Sequence, residues 1–329
     1  MESNNIGGSV KDRTAKEIIL KAIERGELAE GDNIVEGTSG STGIALSLIA
    51  NVKNLTSKII LPNNLAQEKY RLLELFNADL IKVPPRSFID ENNFVRIAES
   101  FKQENTKKRS FYCDQFDNFD NFWVHYKETG PEIYEQLDEK LDYFVCSAGT
   151  SGTISGISEY LRTKLPKIKT ILADCEGSSL FSYVNSGVLY TPQNKEINKK
   201  RTPDYTVVEG IGLNRLTKNF LRGKIDMAFK VGDLESMHMA HYLIQKEGLF
   251  LGGSSCLNLV AICKLVNHLK NKQKLSEKDI SKMKVITIAN DSGYRYLSKF
   301  YNPEYVKKYG IHFEKKNVYN DLDFIDYNY

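Results

Sequence analysis

The five cysteines of this 329-residue sequence, Cys113, Cys146, Cys175, Cys256 and Cys263, form no CxxC pair. That removes the usual spacing of a thiolate zinc site or a redox couple. Thiols inside or beside apolar runs read instead as reduced and mostly buried, which places the protein inside a cell, in the cytoplasm or a mitochondrion. The five histidines offer one helically spaced pair, His238 and His241, with no carboxylate spacing to complete a metal site. Apolar runs long enough to span a bilayer are missing. Charge of one sign is missing too: Lys+Arg number 45 against Asp+Glu 42, a formal net charge of +3. So even a balance argues against nucleic acid as the main partner. The basic stretches at 194–201 and 270–284 mix in acidic or polar residues and read as solvated faces. The opening "MESNNIGGSV" has neither the apolar core nor the basic amphipathic pattern of a targeting peptide.

What is present is alternation. Short apolar runs occur at 33–36, 58–61, 79–83, 143–146, 169–173, 205–209, 227–231, 248–251 and 284–289. Helical spacings of three and four lie between them, at 9–25, 42–53, 65–76, 121–137, 153–164, 234–247 and 256–270. Continuous rather than alternating apolar strands predict a buried parallel sheet, hence an α/β fold. A polar, aromatic stretch without period near 105–120 suggests a boundary. It gives a smaller N-terminal domain at 1–118, a larger one at 119–312 and a peripheral tail at 313–329.

The tetrapeptide GTSG occurs twice, in "VEGTSGSTG" at 35–43 and in "CSAGTSGTISG" at 146–156. Each copy follows an apolar run and opens a helical pattern, and the unrelated flanks argue against a repeat. Small residues at a helix start turn backbone N–H groups and hydroxyls toward an anion. Neither copy is a GxxxxGK[ST] or a clean GxGxxG, so ATP and dinucleotides are poorly supported. Two cradles suit two anions, such as a cofactor phosphate and a substrate carboxylate. "GGSVKDR" at 7–13 has a capping-box-like start at Ser9, with Asp12 three residues on, and puts Lys11 in the first turn. The helix dipole disfavours a cation there and favours the neutral amine or imine that covalent catalysis uses. A third junction, "EGLFLGGSSCLN" at 247–258, again reads as strand, small loop and helix.

Taken in order, "NIGGSVKDR", "EGTSGSTGI", "DQFDN", "HYKETGPEIYEQ", "AGTSGTISG", "VVEGIG" and "GLFLGGSS" resemble the pyridoxal-phosphate-dependent cysteine synthase and cystathionine β-synthase family. Within it they look most like the fungal cysteine-synthase-like branch. The resemblance implies two three-layer α/β/α domains of the tryptophan-synthase-β-like architecture, fold type II. It implies pyridoxal 5′-phosphate as cofactor and a homodimer. It also implies that acetate of O-acetylserine is replaced by sulfide to give cysteine. Lys11 would carry the cofactor as an imine and act as base. Gly149, Thr150, Ser151, Gly152 and Thr153 would hold its phosphate, and Ser254 would meet the pyridine nitrogen. Thr38, Ser39, Thr42 and Gln115 would bind the substrate carboxylate, with Gly210 and Gly212 lining the site.

The sequence departs from the family pattern in three places. Ser41 stands where an asparagine usually lies beside the cofactor 3′-oxygen. Ser151 replaces a glycine of the phosphate loop. Only ten residues precede Lys11, so the chain reads as truncated at its N-terminus, without the opening strands of relatives. Other readings stay open: a related lyase (cystathionine β-synthase, cysteine desulfhydrase or serine/threonine dehydratase), or an inactive paralogue.

Overall fold

A computed structural model describes residues 1–103, 109–138, 140–190, 206–312 and 321–327. Among these, eight strands form two four-stranded sheets. The first holds β1 (Asn33–Gly37), β2 (Thr56–Pro62), β3 (Asp79–Val83) and β4 (Ser110–Tyr112) in the order β3-β2-β1-β4. The second holds β5 (Tyr143–Ser147), β6 (Lys169–Cys175), β7 (Met227–Val231) and β8 (Val285–Thr287) in the order β7-β6-β5-β8. Every strand pairing is parallel. Parallel neighbours need crossover connections, and the helical spacings supply them.

The helices of the first half are α1 (Lys11–Glu24), α2 (Ser41–Val52), α3 (Gln67–Leu75) and α4 (Phe94–Ser100). Then α5 (Asp120–Val124) runs through a π-helical turn, His125–Thr129, into α6 (Gly130–Gln136). The second half adds α7 (Gly152–Lys164), α8 (Leu180–Ser186), α9 (Lys218–Leu221), α10 (Asp233–Tyr242) and α11 (Gly253–Asn271).

Each sheet buries both faces, because successive strand residues point to opposite sides. In β1, Ile34 packs with Ile18, Ala45 and Leu46 of α1 and α2, whereas Val35 packs with Ile60 and Ala98 on the α4 side. In β5, Phe144 and Cys146 join Ile154 and Leu180 of α7 and α8. Val145 turns the other way, to Leu257, Val260 and Leu265 of α11. Two three-layer α/β/α units result. We propose the division at 118/119: β4 ends at Tyr112, β5 starts at Tyr143, and α5 between them packs on both α1 and α7.

Several local expectations are corrected. Residues 206–209 form no strand, because their N–H groups bond to side chains: Val207 N–H donates to Asp233 and Val208 N–H to Thr206 Oγ1. Residues 248–251 contribute a lone bridge from Leu251 to Ser292. Helix α11 therefore starts at Gly253, which brings Ser254 into its first turn. The short strand β4 lies inside the stretch read as aperiodic. The capping box at Ser9 does not form: the Asp12 carboxylate accepts from Gly7 N–H, and Ser9 Oγ accepts from Lys11 N–H at 3.3 Å. The tail is not wholly peripheral, since Ile325 is buried in the second core and Asp326 N–H donates to Glu235 at 2.9 Å. The basic stretch 194–201, Tyr205, residues 104–108 and residues 313–320 and 328–329 of the tail lie outside the described residues. All five cysteines are free thiols; Cys263 is partly exposed and the other four are buried.

Candidate active site

Parallel α/β sheets present their loops at the carboxyl ends of the strands, where ligands bind. Here the segments that follow β1, β2, β3, β4, β5 and β8 converge on one cavity of ≈ 270 Å³. Lys11, Thr38, Ser39, Ser41, Thr42, Gln115, Gly149, Thr150, Ser151, Thr153, Gly210, Gly212 and Ser254 all line it. Gly152 does not: a Cβ there would strike the Asn121 side chain, so this glycine admits Asn121 rather than a ligand.

The first GTSG loop leaves β1 and opens α2 through Gly40, whose φ of 113° only glycine adopts readily. Gly40 makes no side-chain cap, so the first-turn amides of α2 lack intrahelical acceptors. Beneath the loop Thr42 Oγ1 donates to Gln115 Oε1 at 2.5 Å. Gln115 Nε2 donates to Gly37 O at 2.8 Å and to Glu36 Oε1 at 3.2 Å. Both ends of the Gln115 amide are thus engaged inside the protein, and it braces the loop. Glu36 is fully buried, and burial pushes its carboxyl up to about 8 against the N–H donors of Gln115 and Gly37.

The second GTSG loop leaves β5 and opens α7. Ser151 sits at the helix N-cap with φ 72° and caps nothing with its side chain. The first-turn amides again lack acceptors among the described residues. A Cβ on Gly149 would collide with the carbonyl oxygen of Gly210, so the 206–213 loop lies backbone to backbone on the cradle. Asn121 ties this cradle to α1. Its Nδ2 donates to Thr150 Oγ1 at 2.8 Å, and its Oδ1 accepts from Thr14 Oγ1 at 2.9 Å. His125, also wholly buried, stands 3.1 Å from Thr153 Oγ1 through Nε2 and 2.9 Å from Thr129 Oγ1 through Nδ1. Burial holds His125 well below the usual histidine range, so it acts as a neutral hydrogen-bonding strut.

Lys11 opens α1 at the cavity wall, and its remaining exposure faces that cavity. Burial pulls its amine down to about 8; Cys146 and Asp291 pull the other way. Burial therefore does most of what the sequence assigned to the helix dipole. Ser254 Oγ accepts from Asn290 Nδ2 at 3.2 Å, which leaves its own hydrogen available.

Sequence reasoning missed the charged groups in and beside the cavity. Lys69 of α3 is 1% exposed, with its Nζ 2.6 Å from Glu209 and 4.7 Å from the Tyr296 ring centroid. Lys299 reaches the same carboxylate at 2.6 Å. Arg295, 4% exposed, donates to Ser41 Oγ at 3.1 Å and to Gly7 O. The segments are far apart in sequence, and no local spacing announces them.

The donor set fits pyridoxal phosphate. One cradle offers free amides and the hydroxyls of Thr150 and Thr153 with no carboxylate among them, which suits a phosphate. An amine lowered to about 8 stands in the same cavity, which suits an aldehyde.

Comparison with known proteins agrees. The profile of the family described as "Pyridoxal-phosphate dependent enzyme" matches residues 1–281. Cysteine synthase from Dictyostelium discoideum is 38% identical over 310 residues, 94% of this chain and 79% of that protein. Cysteine synthase 2 from Emericella nidulans is 39% identical over 91% of this chain and 72% of that protein. Among solved structures, the O-acetylserine-dependent cystathionine β-synthase of Helicobacter pylori superposes with a TM-score of 0.73 at 31% identity. It covers 91% of this chain and 87% of that one. This chain belongs to the pyridoxal-phosphate-dependent enzymes of fold type II. It is an enzyme, and its cofactor is pyridoxal 5′-phosphate.

Proposed function

We propose that this enzyme is a cysteine synthase: it exchanges the acetate of O-acetyl-L-serine for sulfide and releases L-cysteine. The observation that carries the reading is the meeting of Lys11 with two separate helix-start cradles in one cavity. When bound, pyridoxal phosphate supplies the electron sink that lets a β-substituent leave an amino acid. Gly149, Thr150, Ser151 and Thr153 hold its phosphate. Gly152 serves this cradle from behind, by admitting Asn121. Ser254 meets the ring nitrogen with a hydroxyl, which does not fix a proton there as a carboxylate would. That favours loss of a β-leaving group over transamination. Thr38, Ser39 and the first-turn amides of α2 bind the substrate carboxylate, with Thr42 and Gln115 bracing them. Lys11 Nζ, lowered to about 8, takes the α-proton near neutral pH. Acetate leaves from the β-carbon, hydrosulfide adds at that carbon, and Lys11 returns the proton to the α-carbon.

The reading places the enzyme inside the cell, in the cytoplasm or a mitochondrion; its free thiols suit a reducing compartment. No helix among the described residues is long and apolar enough to cross a membrane. It also gives a homodimer. The exposed apolar side chains of Leu20, Ile23, Phe119 and Leu221 are the kind of surface that a second copy covers.

The test is a product assay on purified holoenzyme, with O-acetylserine plus sulfide in one arm and serine plus homocysteine in the other. Cysteine from the first pair alone is expected. Cystathionine as the main product, or no turnover with cofactor bound, would overturn the reading. Hydride trapping followed by peptide mass analysis should find the cofactor on Lys11 and find none in Lys11→Ala.

A further inference from the structure

Arg295 lies on a short 3-10 turn, Gly293–Tyr296, beyond β8. Its guanidinium joins two segments distant in the chain. Nη1 donates to Ser41 Oγ at 3.1 Å, at the first residue of α2. Nη2 donates to the carbonyl of Gly7, four residues ahead of Lys11. Gly8 makes room for this approach: its φ is 82°, and a Cβ there would lie 3.3 Å from Nη2. Both acceptors are neutral, so no carboxylate hydrogen-bonds to the guanidinium among the described residues. The titratable groups whose field it shares are Asp12 on α1, Asp291 beside its own turn and Tyr296 on it; Lys69 on α3, Glu209 of the 206–213 loop and Lys11 on α1 interact with Asp291 in turn.

A guanidinium carries only donors. Ser41 Oγ must therefore accept from it, and an accepting hydroxyl keeps its own hydrogen for another partner. Among the described residues nothing accepts that hydrogen, and Ser41 lines the cavity. The arrangement supplies a donor at Ser41, the cradle position where the sequence departs from the asparagine of the family pattern it resembles.

We propose that Arg295 is a positioning residue that fixes the Ser41 hydroxyl as a hydrogen-bond donor to the ring oxygen of the cofactor. The proposal rests on the reading of this cavity as the cofactor site. A donor backed by a buried cation stabilises negative charge on that oxygen. It thereby weakens the oxygen's hold on the proton of the lysine–cofactor linkage, which is lost at lower pH. The serine–arginine couple replaces what an asparagine amide does alone.

The test is a pH titration of the visible absorption of holoenzyme, with cofactor affinity measured separately by dialysis. Ser41→Ala and Arg295→Gln should each raise the midpoint by about one pH unit, the size expected for one hydrogen bond to a charged group. The double variant should shift no further than either single one, because the two side chains form one device. Ser41→Asn placed on Arg295→Gln should restore the midpoint, since an amide donates without help. Unmoved midpoints with full cofactor occupancy would overturn the proposal, as would additive shifts. If Arg295→Gln fails to fold, Ser41→Ala and its reversal by Ser41→Asn decide. A wild-type protein with no visible band at all would instead sink the cofactor-site reading, which keeps the two failures apart.

Discussion

Lys69 Nζ stands 2.6 Å from a carboxylate oxygen of Glu209, and the pair joins α3 of the first half to the 206–213 loop of the second. Burial alone would raise the Glu209 carboxyl, but the Lys69 and Lys299 ammoniums together bring it below its usual value. Removing one partner of a buried pair leaves the other charge stranded, at a cost of about 3 kcal/mol or more. Lys69→Met should therefore destabilise the fold by about that much in urea titration. Lys299→Met should cost less, because its side chain is 14% exposed and Glu209 keeps the more deeply buried cation. Equal costs would show that the two lysines share the carboxylate evenly.

Glu36 should make stability fall with rising pH. Its carboxyl lies at about 8 in the fold against 4.5 ordinarily, so the folded state binds the extra proton between those limits. Its contribution is whole below the lower value and is lost as pH climbs through the upper one. Glu36→Gln cannot titrate. Its stability relative to the wild type should rise by on the order of 3 kcal/mol between about pH 5 and 8. Any penalty for pointing an amide NH₂ at a former acceptor site is constant with pH. Parallel stability curves for the two proteins would refute the assignment.

Ser151 carries backbone strain. Its φ of 72° costs a non-glycine residue about 1–2 kcal/mol, and its hydroxyl recovers little through a 3.4 Å contact with Gly149 O. Ser151→Gly should raise the stability of the cofactor-free protein by about 1 kcal/mol, after the extra unfolded-state entropy of glycine is counted. The same variant should bind cofactor more weakly if the hydroxyl is a phosphate donor. Unchanged affinity would make Ser151 a purely structural departure.

The cradles were legible because strand, small-residue loop and helix start are contiguous, and each carries its own signal. Lys11 was legible for the same reason, although burial rather than the helix end dominates its chemistry. Two apolar runs misled. Val207 and Val208 are buried as strand residues would be, but side chains of Asp233 and Thr206 take their N–H groups. At 248–251 only Leu251 finds a bridge. The ionic cluster of Lys69, Glu209 and Lys299 and the Arg295–Ser41 bond were illegible, because each joins residues far apart in the chain, ninety positions or more. His125 stood in no telling spacing in the sequence; its three threonine partners, Thr14, Thr129 and Thr153, became visible only once α1, the π turn and α7 were placed together.

Asn121 hydrogen-bonds to neither the amine of Lys11 nor a cradle amide among the described residues, yet it gauges both. One face of its amide holds Thr14, a turn below Lys11, and the other holds Thr150. The helix carrying Lys11 and the loop of the second cradle are therefore measured from a single side chain. A molecule anchored at both ends in this cavity meets a helix and a loop whose separation this one amide holds.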